Sequence, residues 1–458
     1  MAQSQIALSA LAKLRCNFVG TVLQSADQEY DSVRALHNGL IDKHPAVIAR
    51  CRNEADIAAG IAFAREHGLE IAVRGGGHNV SGRASVEGGM MIDLSLMKAI
   101  TVDAAARRAM AQGGVTWGEF NRATQEHGLA TTGGVISTTG IAGLTLGGGF
   151  GYLAGKHGLA TDNLVAATVV TAEGKTVRAC DSENPDLYWA LRGGGGNFGV
   201  VSSLEYNLHP VGPTIMAGAI AWPLAQARGV LRFYREFAES APDELALLAG
   251  VGHALDGSGA KVAIIGAAYI GAMTDGERVL RPIKEFGTPL LDMIQPTTYC
   301  DLNGIYDVAY PKGMQYYWKS NFLSALDDDA INIAIDMVEH CPSQYSGIFL
   351  EHWHGAAARV AHNHTAFHHR RQGHNLLILS HWHDPATKED NVAWARQGFA
   401  RLERFSAGAR YVNYLDQDDA ADVEGPFGAN YARLAQVKAK WDPGNIFHLN
   451  QNVQPVSE

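Results

Sequence analysis

The sequence predicts an α+β protein built from two domains. Its 458 residues are too many for one ordinary hydrophobic core. Glycines are concentrated in the first 200 residues and become sparser after Pro210 and Pro213, where strand-like runs alternate in groups with amphipathic helices. Groups of strands with helices to one side indicate an antiparallel sheet with one covered face.

The individual elements follow from hydrophobic periodicity and from capping and turn residues. Asn53 opens a helix over 54–67, and Glu173 and Gly174 form the turn of a hairpin over 164–180. The first region also contains predicted strands at 69–74, 90–94, 100–112 and 200–209 and helices at 117–127 and 183–191. The second region contains predicted strands at 217–222, 244–252, 260–270, 346–353 and 375–383, helices at 224–239, 275–286, 327–340 and 387–405, and a final helix at 430–440.

Composition narrows the class of protein. Apolar residues make up 47% and charged residues 18% of the chain, which is typical of a globular protein. The net charge of −10, without basic runs, argues against nucleic acid or an anionic membrane as the main partner. The five cysteines form no Cys-x-x-Cys pair, so we expect a reducing compartment and no zinc site. No apolar stretch approaches the ~20 residues of a membrane span, and no basic region precedes residues 6–12. We therefore expect a cytoplasmic location.

The most informative stretch is residues 69–79, where an apolar run ends in Arg74, three glycines and His78. Glycines remove side chains from a turn, so main-chain N–H groups can surround a phosphate. A histidine beside such a turn would lie within reach of a bound cofactor. The motif therefore predicts a large phosphate-bearing cofactor with His78 next to it.

Three further glycine clusters are less specific when taken alone. Residues 194–199 match G-x-G-x-x-G, but the predicted helix precedes them and the strand follows, the reverse of a nicotinamide-binding loop. Residues 174–176 lack the upstream glycine of a phosphate-binding P-loop. The cluster at 147–151 either admits a ring or a pyrophosphate or is simply a tight loop.

The order of the motifs is more specific than any one of them. The chain carries R-G-G-G-H-N at 74–79, M-I-D-L-S at 91–95, a glycine-rich run at 140–149, G-L-A-T-D-N at 158–163 and W-A-L-R-G-G-G-G-N-F-G-V-V at 189–201. This succession resembles the FAD-linked oxidases of the vanillyl-alcohol-oxidase/p-cresol-methylhydroxylase (PCMH) superfamily, in its berberine-bridge-enzyme-like branch. The resemblance runs from about residue 40 to 452. It implies a PCMH-type FAD-binding domain at 1–212, an antiparallel-sheet substrate domain at 213–410, and a segment at 411–458 that returns to the first domain.

The resemblance also implies how FAD is bound. His78 would be joined covalently to the 8α carbon of the flavin, since neutral imidazole is a competent nucleophile near pH 7; the alternative is a histidine that only caps the turn. Further FAD contacts are implied for Arg74, Gly75, Gly76, Gly77, Asn79, Ser81, Gly82, Gly140, Gly143, Gly149, Asp162, Asn163, Gly199 and Val201. Asn413, Asn450 and Asn452 match positions that close over the cofactor.

Two neighbouring positions bear on the attachment and on the electron acceptor. Relatives with a second covalent link carry a cysteine where Ile136 stands, so the resemblance implies a single link through His78. Thr139 matches the position whose side chain controls the approach of oxygen to the flavin. Its moderate size favours O2 as the electron acceptor.

The segment 411–416 resembles the family's Y-x-N-Y-x-D motif, in which the second tyrosine is a catalytic base in several members. That tyrosine is Tyr414 here. A free tyrosine has a pKa of ~10, so a base role requires a lowered pKa, from a cation or from a hydrogen bond to the phenolate. The alternative is a structural tyrosine that packs under the flavin, with its hydroxyl bonded to Asp416.

Nine of the 19 histidines lie between residues 352 and 383. The pairs His352/His354 and His381/His383 are each spaced to project two rings from one strand face. Three interpretations are open. In the first, one pair lines the substrate pocket, with His354 as the candidate. In the second, four rings bind a metal, which the family does not require and which we do not expect. In the third, the histidines are structural and surface residues.

The predicted reaction is oxidation of a C–H bond next to an O–H or N–H group in a small organic substrate. Hydride would pass to flavin N5, Tyr414 or a pocket histidine would remove the proton, and O2 would reoxidise the flavin to give H2O2. The alternatives are a dehydrogenase with another acceptor, an oxygenating biosynthetic flavoenzyme, and a flavin-binding protein without turnover. The identity of the substrate and the oligomeric state, a homo-oligomer included, stay open.

Overall fold

The computed structural model describes residues 6–254, 256–419 and 425–456. Its first region, up to residue 211, contains three sheets and seven α-helices among these residues. The strands are β1 (Thr21–Leu23), β2 (Val47–Arg50), β3 (Ile71–Arg74), β4 (Met90–Asp93), β5 (Ile100–Asp103), β6 (Arg108–Gln112), β7 (Leu129–Ala130), β8 (Leu164–Val170), β9 (Thr176–Cys180), β10 (Val200–Asn207) and β11 (His209–Pro210). The helices are α1 (Leu8–Cys16), α2 (Tyr30–Arg34), α3 (Glu54–Glu66), α4 (Trp117–Gln125), α5 (Ile141–Leu146), α6 (Ala154–His157) and α7 (Pro185–Leu191).

Two sheets of the first region carry the glycine loops. A four-stranded sheet has the order β1-β2-β4-β3, in which β4 runs parallel to both β2 and β3. A five-stranded antiparallel sheet has the order β5-β6-β10-β8-β9. The expected cap of α3 is present, because the Asn53 side chain accepts a hydrogen bond from the main-chain N–H of Asp56. The stretch 100–112 is a hairpin, which turns at Arg107 with a φ of 51°.

The second region is one large antiparallel sheet. Its strands are β12 (Ile215–Pro223), β13 (Leu245–His253), β14 (Lys261–Tyr269), β15 (Leu291–Asp292), β16 (Gln295–Thr297), β17 (Gln315–Leu323), β18 (Gly347–Trp353) and β19 (Gly373–Trp382). Its helices are α8 (Ala227–Glu239), α9 (Met273–Lys284), α10 (Tyr299–Gly304), α11 (Asp328–Glu339), α12 (Gly355–Arg359) and α13 (Lys388–Leu402), and α14 (Tyr431–Trp441) follows near the end of the chain. The strand order is β15-β12-β14-β13-β18-β19-β17, with β16 also paired to β12. The predicted α+β class and the antiparallel sheet are confirmed.

The two faces of this sheet have different neighbours. One face carries Leu247, Ile265, Leu350 and Ile378, which pack with buried residues of α8, α11 and α13 in one core. Side chains alternate along a strand, so the residues between these point the other way. That second face, here called the inner face, lines a cavity shared with the glycine loops of the first region.

The end of the chain returns to the first region. Leu434, Val437 and Val453 belong to the core that α4, α7 and β10 form. The ammonium of Lys438, fully buried, donates to the carboxylate of Asp442 (2.6 Å) and to the main-chain oxygen of Asn197 (2.7 Å). The domain boundaries at 212 and 410 stay predictions. Within the described ranges, no helix is both long and apolar enough to cross a membrane.

Candidate active site

The glycine turn after β3 lies directly against the loop that opens α5. A Cβ atom on Gly76 would lie 2.5 Å from the main-chain nitrogen of Gly140, and one on Gly140 would lie 2.4 Å from the nitrogen of Gly76. Gly77 has a φ of +66°, which other residues rarely adopt. The two loops thus meet backbone to backbone, and no side chain fits at the contact.

The cavity beside this contact brings together most of the predicted site residues. Its first part, here called the cofactor half, is lined by loops of the first region and by the chain end. The predicted residues in its lining are Gly75, Gly76, Gly77, His78, Asn79, Thr139, Gly140, Gly143, Gly199, Val201, Asn413 and Asn450, and Tyr414 also lines the cavity. Ile136 lines it too, and none of the five cysteines does.

Seven predicted cofactor residues lie outside the lining, and several of them hold the loops in place. They are Arg74, Ser81, Gly82, Gly149, Asp162, Asn163 and Asn452. The Arg74 guanidinium donates to the main-chain oxygen of Val33 and approaches Asp93. The Asp162 carboxylate accepts two hydrogen bonds from Arg370, both 2.7 Å long. The Asn163 side chain donates to the main-chain oxygens of His157 and Leu159. Direct FAD contacts of the predicted residues, both in the lining and outside it, stay predictions.

The neighbours of His78 leave its ring neutral and partly unpartnered. Its ring stacks on that of His37, with centroids 3.8 Å apart and planes 20° from parallel, and His37 stacks in turn on Tyr316. Burial and then the neighbouring His37 lower the pKa of His78 well below its usual value. Burial and the charge of Lys312 lower the pKa of His37 to about 4. The Nε2 atom of His78 is buried and has no hydrogen-bond partner in the described part of the chain.

These features fit a covalently held flavin. Bare glycine loops provide the close approach that a dinucleotide requires. A neutral imidazole with a free nitrogen at the same cavity is a suitable nucleophile.

The 411–414 segment joins the chain end to both glycine loops. The Tyr411 hydroxyl accepts hydrogen bonds from the main-chain N–H groups of Gly149 (2.9 Å) and Phe150 (3.2 Å). The Asn413 side chain donates to the main-chain oxygen of Leu144 (3.0 Å), and Asn79 donates to that of Asn413 (3.3 Å). The first tyrosine and the asparagine of the motif therefore fasten this segment, and Tyr414 is held at the cavity.

Tyr414 forms a hydrogen bond that the sequence analysis missed. Its hydroxyl donates to Oε1 of Glu351 (2.6 Å), whose Oε2 accepts from the Asn375 side chain (2.9 Å). The expected lowered pKa is not found: burial and then the Glu351 charge raise the pKa of Tyr414 well above its usual value. The proposed bond to Asp416 is replaced by the bond to Glu351. Tyr414 is therefore a neutral phenol, not a phenolate.

Glu351 is the acidic group of the site. It is 4% exposed, and burial raises its pKa to about 7. Burial raises the pKa of the phenols of Tyr234, Tyr310, Tyr411 and Tyr414, and the Glu351 charge adds to the rise in each. One signal in the sequence was available: Glu351 interrupts an apolar strand, and an acid there is either at the surface or functional.

The prediction that His354 lines the pocket is wrong. On β18, His352 lies on the helix-covered face with Ile348 and Leu350, and its ring stacks on that of His354 with centroids 4.2 Å apart. The Nε2 atom of His354 lies 3.3 Å from the main-chain oxygen of Pro242, outside the cavity lining. His381 lies on the opposite, inner face, so the four rings do not converge. Across the described residues, no three His, Cys, Asp or Glu side chains are grouped to hold a metal ion.

Known proteins match the first region, the C-terminal segment and the whole fold. A family model described as an FAD binding domain matches residues 45–179, and one described as berberine and berberine like matches 410–454. An FAD-linked oxidoreductase of Dictyostelium discoideum is 30% identical over 442 residues, 95% of each chain. The (R)-6-hydroxynicotine oxidase of Paenarthrobacter nicotinovorans is 31% identical over 453 residues, 95% of this chain and 97% of the relative. The solved structure of 6-hydroxy-D-nicotine oxidase from Arthrobacter nicotinovorans superposes with a TM-score of 0.87 at 30% identity, covering 96% of this chain and 98% of that one.

The fold and the cavity define a flavin-dependent oxidoreductase. The chain belongs to the berberine-bridge-enzyme-like FAD-linked oxidoreductases of the PCMH-type superfamily. The resemblance stated from the sequence motifs is confirmed.

Proposed function

We propose that this protein is an FAD-dependent oxidase that carries its flavin on His78 and oxidises a C–H bond next to an O–H or N–H group in a small organic molecule. The observation that carries the proposal is the Tyr414–Glu351 hydrogen bond, which faces the same cavity as His78. The groups that we propose as proton acceptor and as attachment site thus line one cavity. The relative named as an oxidase, 31% identical over nearly the whole chain, supports O2 as the acceptor.

The residues that would hold FAD are those of the cofactor half. The glycine turn and the Gly140 loop would supply main-chain N–H groups, and His78 would form the only covalent link, since no cysteine lines the cavity. When bound, FAD would accept hydride at N5 and pass the electron pair to O2, giving H2O2. Thr139 would leave oxygen a path to the ring.

Glu351 is the proton acceptor in this proposal, and Tyr414 transmits the proton. The substrate hydroxyl or amine would donate to the Tyr414 oxygen while Tyr414 donates its own proton to Oε1 of Glu351. Tyr414 then carries one proton before and after the transfer, so its raised pKa is no obstacle. Glu351 must begin as a carboxylate, and its pKa of about 7 allows this at neutral pH.

Acid precipitation of the purified yellow protein, followed by intact-mass measurement, tests the covalent link. We expect the added mass of one FAD in the wild type and no added mass in His78→Ala. His44→Ala, at an exposed histidine, is the matched control and should keep the added mass. Free FAD in the wild-type supernatant would contradict the link and leave non-covalent binding intact.

Reoxidation of the reduced enzyme tests the acceptor. Enzyme reduced by substrate without oxygen is mixed with aerated buffer, and flavin absorbance and H2O2 are measured. Fast reoxidation with one H2O2 per turnover is expected. Slow reoxidation would indicate a dehydrogenase, and a product labelled from isotopic dioxygen would indicate an oxygenating enzyme.

A further inference from the structure

The part of the cavity under the eight-stranded sheet, here called the substrate half, is lined mainly by apolar side chains. Its lining includes Leu248, Ile264, Leu377, Leu379, Phe349 and Trp318. In the strand registers Leu377 pairs with Phe349, Leu379 with Trp318, and Leu248 with Glu351. On the inner face the Glu351 carboxyl group therefore lies between Leu248 on one neighbouring strand and Asn375 on the other, and the remaining wall is apolar.

Glycines on the inner face bring aromatic rings close to the sheet. A Cβ atom on Gly250 would lie 2.6 Å from Cδ1 of Phe349, so that ring packs against the main chain of β13. A Cβ atom on Gly266 would lie 3.0 Å from the Tyr306 hydroxyl oxygen. Rings that lie against bare strand backbone present flat apolar surface to the cavity.

Few polar groups of the substrate half are free to bind a ligand. The indole N–H of Trp318 donates to Nε2 of His381 (2.9 Å), and Nδ1 of His253 lies 3.1 Å from a main-chain oxygen. Both oxygens of Glu351 accept hydrogen bonds from protein groups. Tyr306 and Tyr310 also line this half, and their hydroxyls have no hydrogen bond to any described residue.

No cation of the described chain lines the substrate half. Arg83 lines the cavity in the cofactor half, where its guanidinium donates to the main-chain oxygens of Leu449 (3.0 Å) and Asn450 (2.7 Å). An anionic substrate would therefore bury its charge near Glu351 without a counter-charge, which is unfavourable.

We propose that the substrate is a neutral, ring-bearing molecule, apolar apart from the hydroxyl or amine that is oxidised and one or two further polar atoms; this inference rests on the oxidase function proposed above. A sugar would bring many hydroxyls to a space with few free polar groups, and most would lose their hydrogen bonds to water without replacement. An apolar ring instead gains free energy by leaving water for the leucine and aromatic walls.

Ligand binding and flavin reduction are measured separately, so that a failure of this inference can be distinguished from a failure of the proposed function. The binding probe for the oxidised holoenzyme is 2-naphthol, which has no oxidisable carbinol hydrogen; its effect on the flavin spectrum is titrated beside cellobiose. Reduction of the flavin without oxygen is then followed with 2-naphthalenemethanol and with cellobiose. We expect 2-naphthol to bind and 2-naphthalenemethanol to reduce the flavin, while cellobiose does neither.

Each of the other outcomes counts against either the substrate class or the oxidase function, but not against both. Binding of 2-naphthol without reduction by 2-naphthalenemethanol supports the apolar site and counts against the oxidation of such carbinols. Reduction by cellobiose with no binding of 2-naphthol overturns the substrate class and leaves the oxidase standing.

A pair of leucine variants tests the wall itself. Leu377→Gln should raise the dissociation constant of 2-naphthol about tenfold or more, because it places an amide in the apolar wall. Leu291→Gln makes the same change at a residue that is 50% exposed and should leave binding unchanged. FAD content and the melting temperature report whether each variant folds. If Leu377→Gln does not fold, Phe349→Leu replaces it, with an expected weakening of about threefold from the lost ring. Unchanged binding in a folded wall variant overturns the inference.

Discussion

The two halves of the cavity are built in opposite ways. In the cofactor half, the contact between Gly76 and Gly140 is made by main chain, and side chains are excluded. In the substrate half, Leu248, Trp318 and Glu351 come from three strands far apart in the sequence, and only their side chains form the site. The cofactor half should therefore be sensitive to added volume, whereas the substrate half should be sensitive to changed polarity.

The largest effect is expected for Glu351→Gln, which removes the proton acceptor and leaves the cofactor half intact. We expect kcat, measured by oxygen consumption, to fall about 10²–10⁴-fold, the range for loss of a general base. FAD content should not change. Glu239→Gln, the same change at an exposed residue of α8, should have full activity. Loss of FAD from Glu351→Gln would show that the two halves are not independent.

The same carboxyl group should make activity depend on pH. Only ionised Glu351 accepts a proton, so wild-type kcat/KM should rise with pH through about 7. Glu351→Gln should lack this rise. A wild-type profile that is flat between pH 5 and 9 would count against Glu351 as the acceptor.

Stability should change with pH in the other direction. The pKa of Glu351 is raised from 4.5 to about 7, so between these values the folded protein holds a proton that the unfolded chain releases. The contribution of protonated Glu351 to the free energy of unfolding is complete below pH 4.5 and is lost as pH rises through 7. The free energy of unfolding falls by about 3 kcal/mol over this range. Glu351→Gln carries no such charge, so urea unfolding at pH 8 should show it to be more stable than the wild type. At pH 4.5 the difference should vanish.

In the cofactor half, one added methyl group should be enough to disturb the site. Gly76→Ala places a Cβ atom 2.5 Å from the Gly140 nitrogen, so a loop must move, at a cost of about 1–3 kcal/mol. We expect a lower melting temperature and less bound FAD. Gly229→Ala is the control, since that helical glycine is exposed and its Cβ would meet no atom closer than 3.8 Å. It should stabilise α8 by up to ~1 kcal/mol.

The smallest effect is expected for His37, whose ring stacks on that of His78. His37→Ala should lower the covalently attached fraction of FAD severalfold, because the His78 ring loses the surface that orients it. His37→Phe keeps a flat ring and should restore most of the attachment. Flavin fluorescence on a denaturing gel, compared with total FAD by absorbance, gives the fraction. Full attachment in both variants would show that the stack has no role.

Local patterns predicted much of the fold but not every strand. The predicted elements over β13, β14, β18 and β19 agree with the structure to within a few residues, because apolar runs between turns are a local signal. β17 was not predicted, since Lys319, Ser320 and Asn321 interrupt its apolar pattern. All its residues are buried, and Lys319 is paired with Asp419, 100 positions further along the chain. A partner that distant leaves no mark in the local pattern.

On β18, the sequence pattern likewise could not predict which side chains reach the site. Spacing correctly places His352 and His354 close together, but it does not say which face of the sheet meets the cofactor. Their neighbour Glu351 points to the opposite face and reaches Tyr414, 63 positions away. The face is decided by which side of the sheet α8, α11 and α13 cover.

The order of the motifs and the glycine turn that ends in His78 could be predicted from the sequence, because residues adjacent in the chain stay adjacent in a turn. The contact of Gly76 with Gly140, the Tyr414–Glu351 pair, the apolar substrate half and the stacking of His37 on His78 depend on the tertiary structure. Strand register and the packing of helices on one sheet face bring these side chains together. Those are properties of the folded chain as a whole, whereas a tight turn is a property of a few consecutive residues.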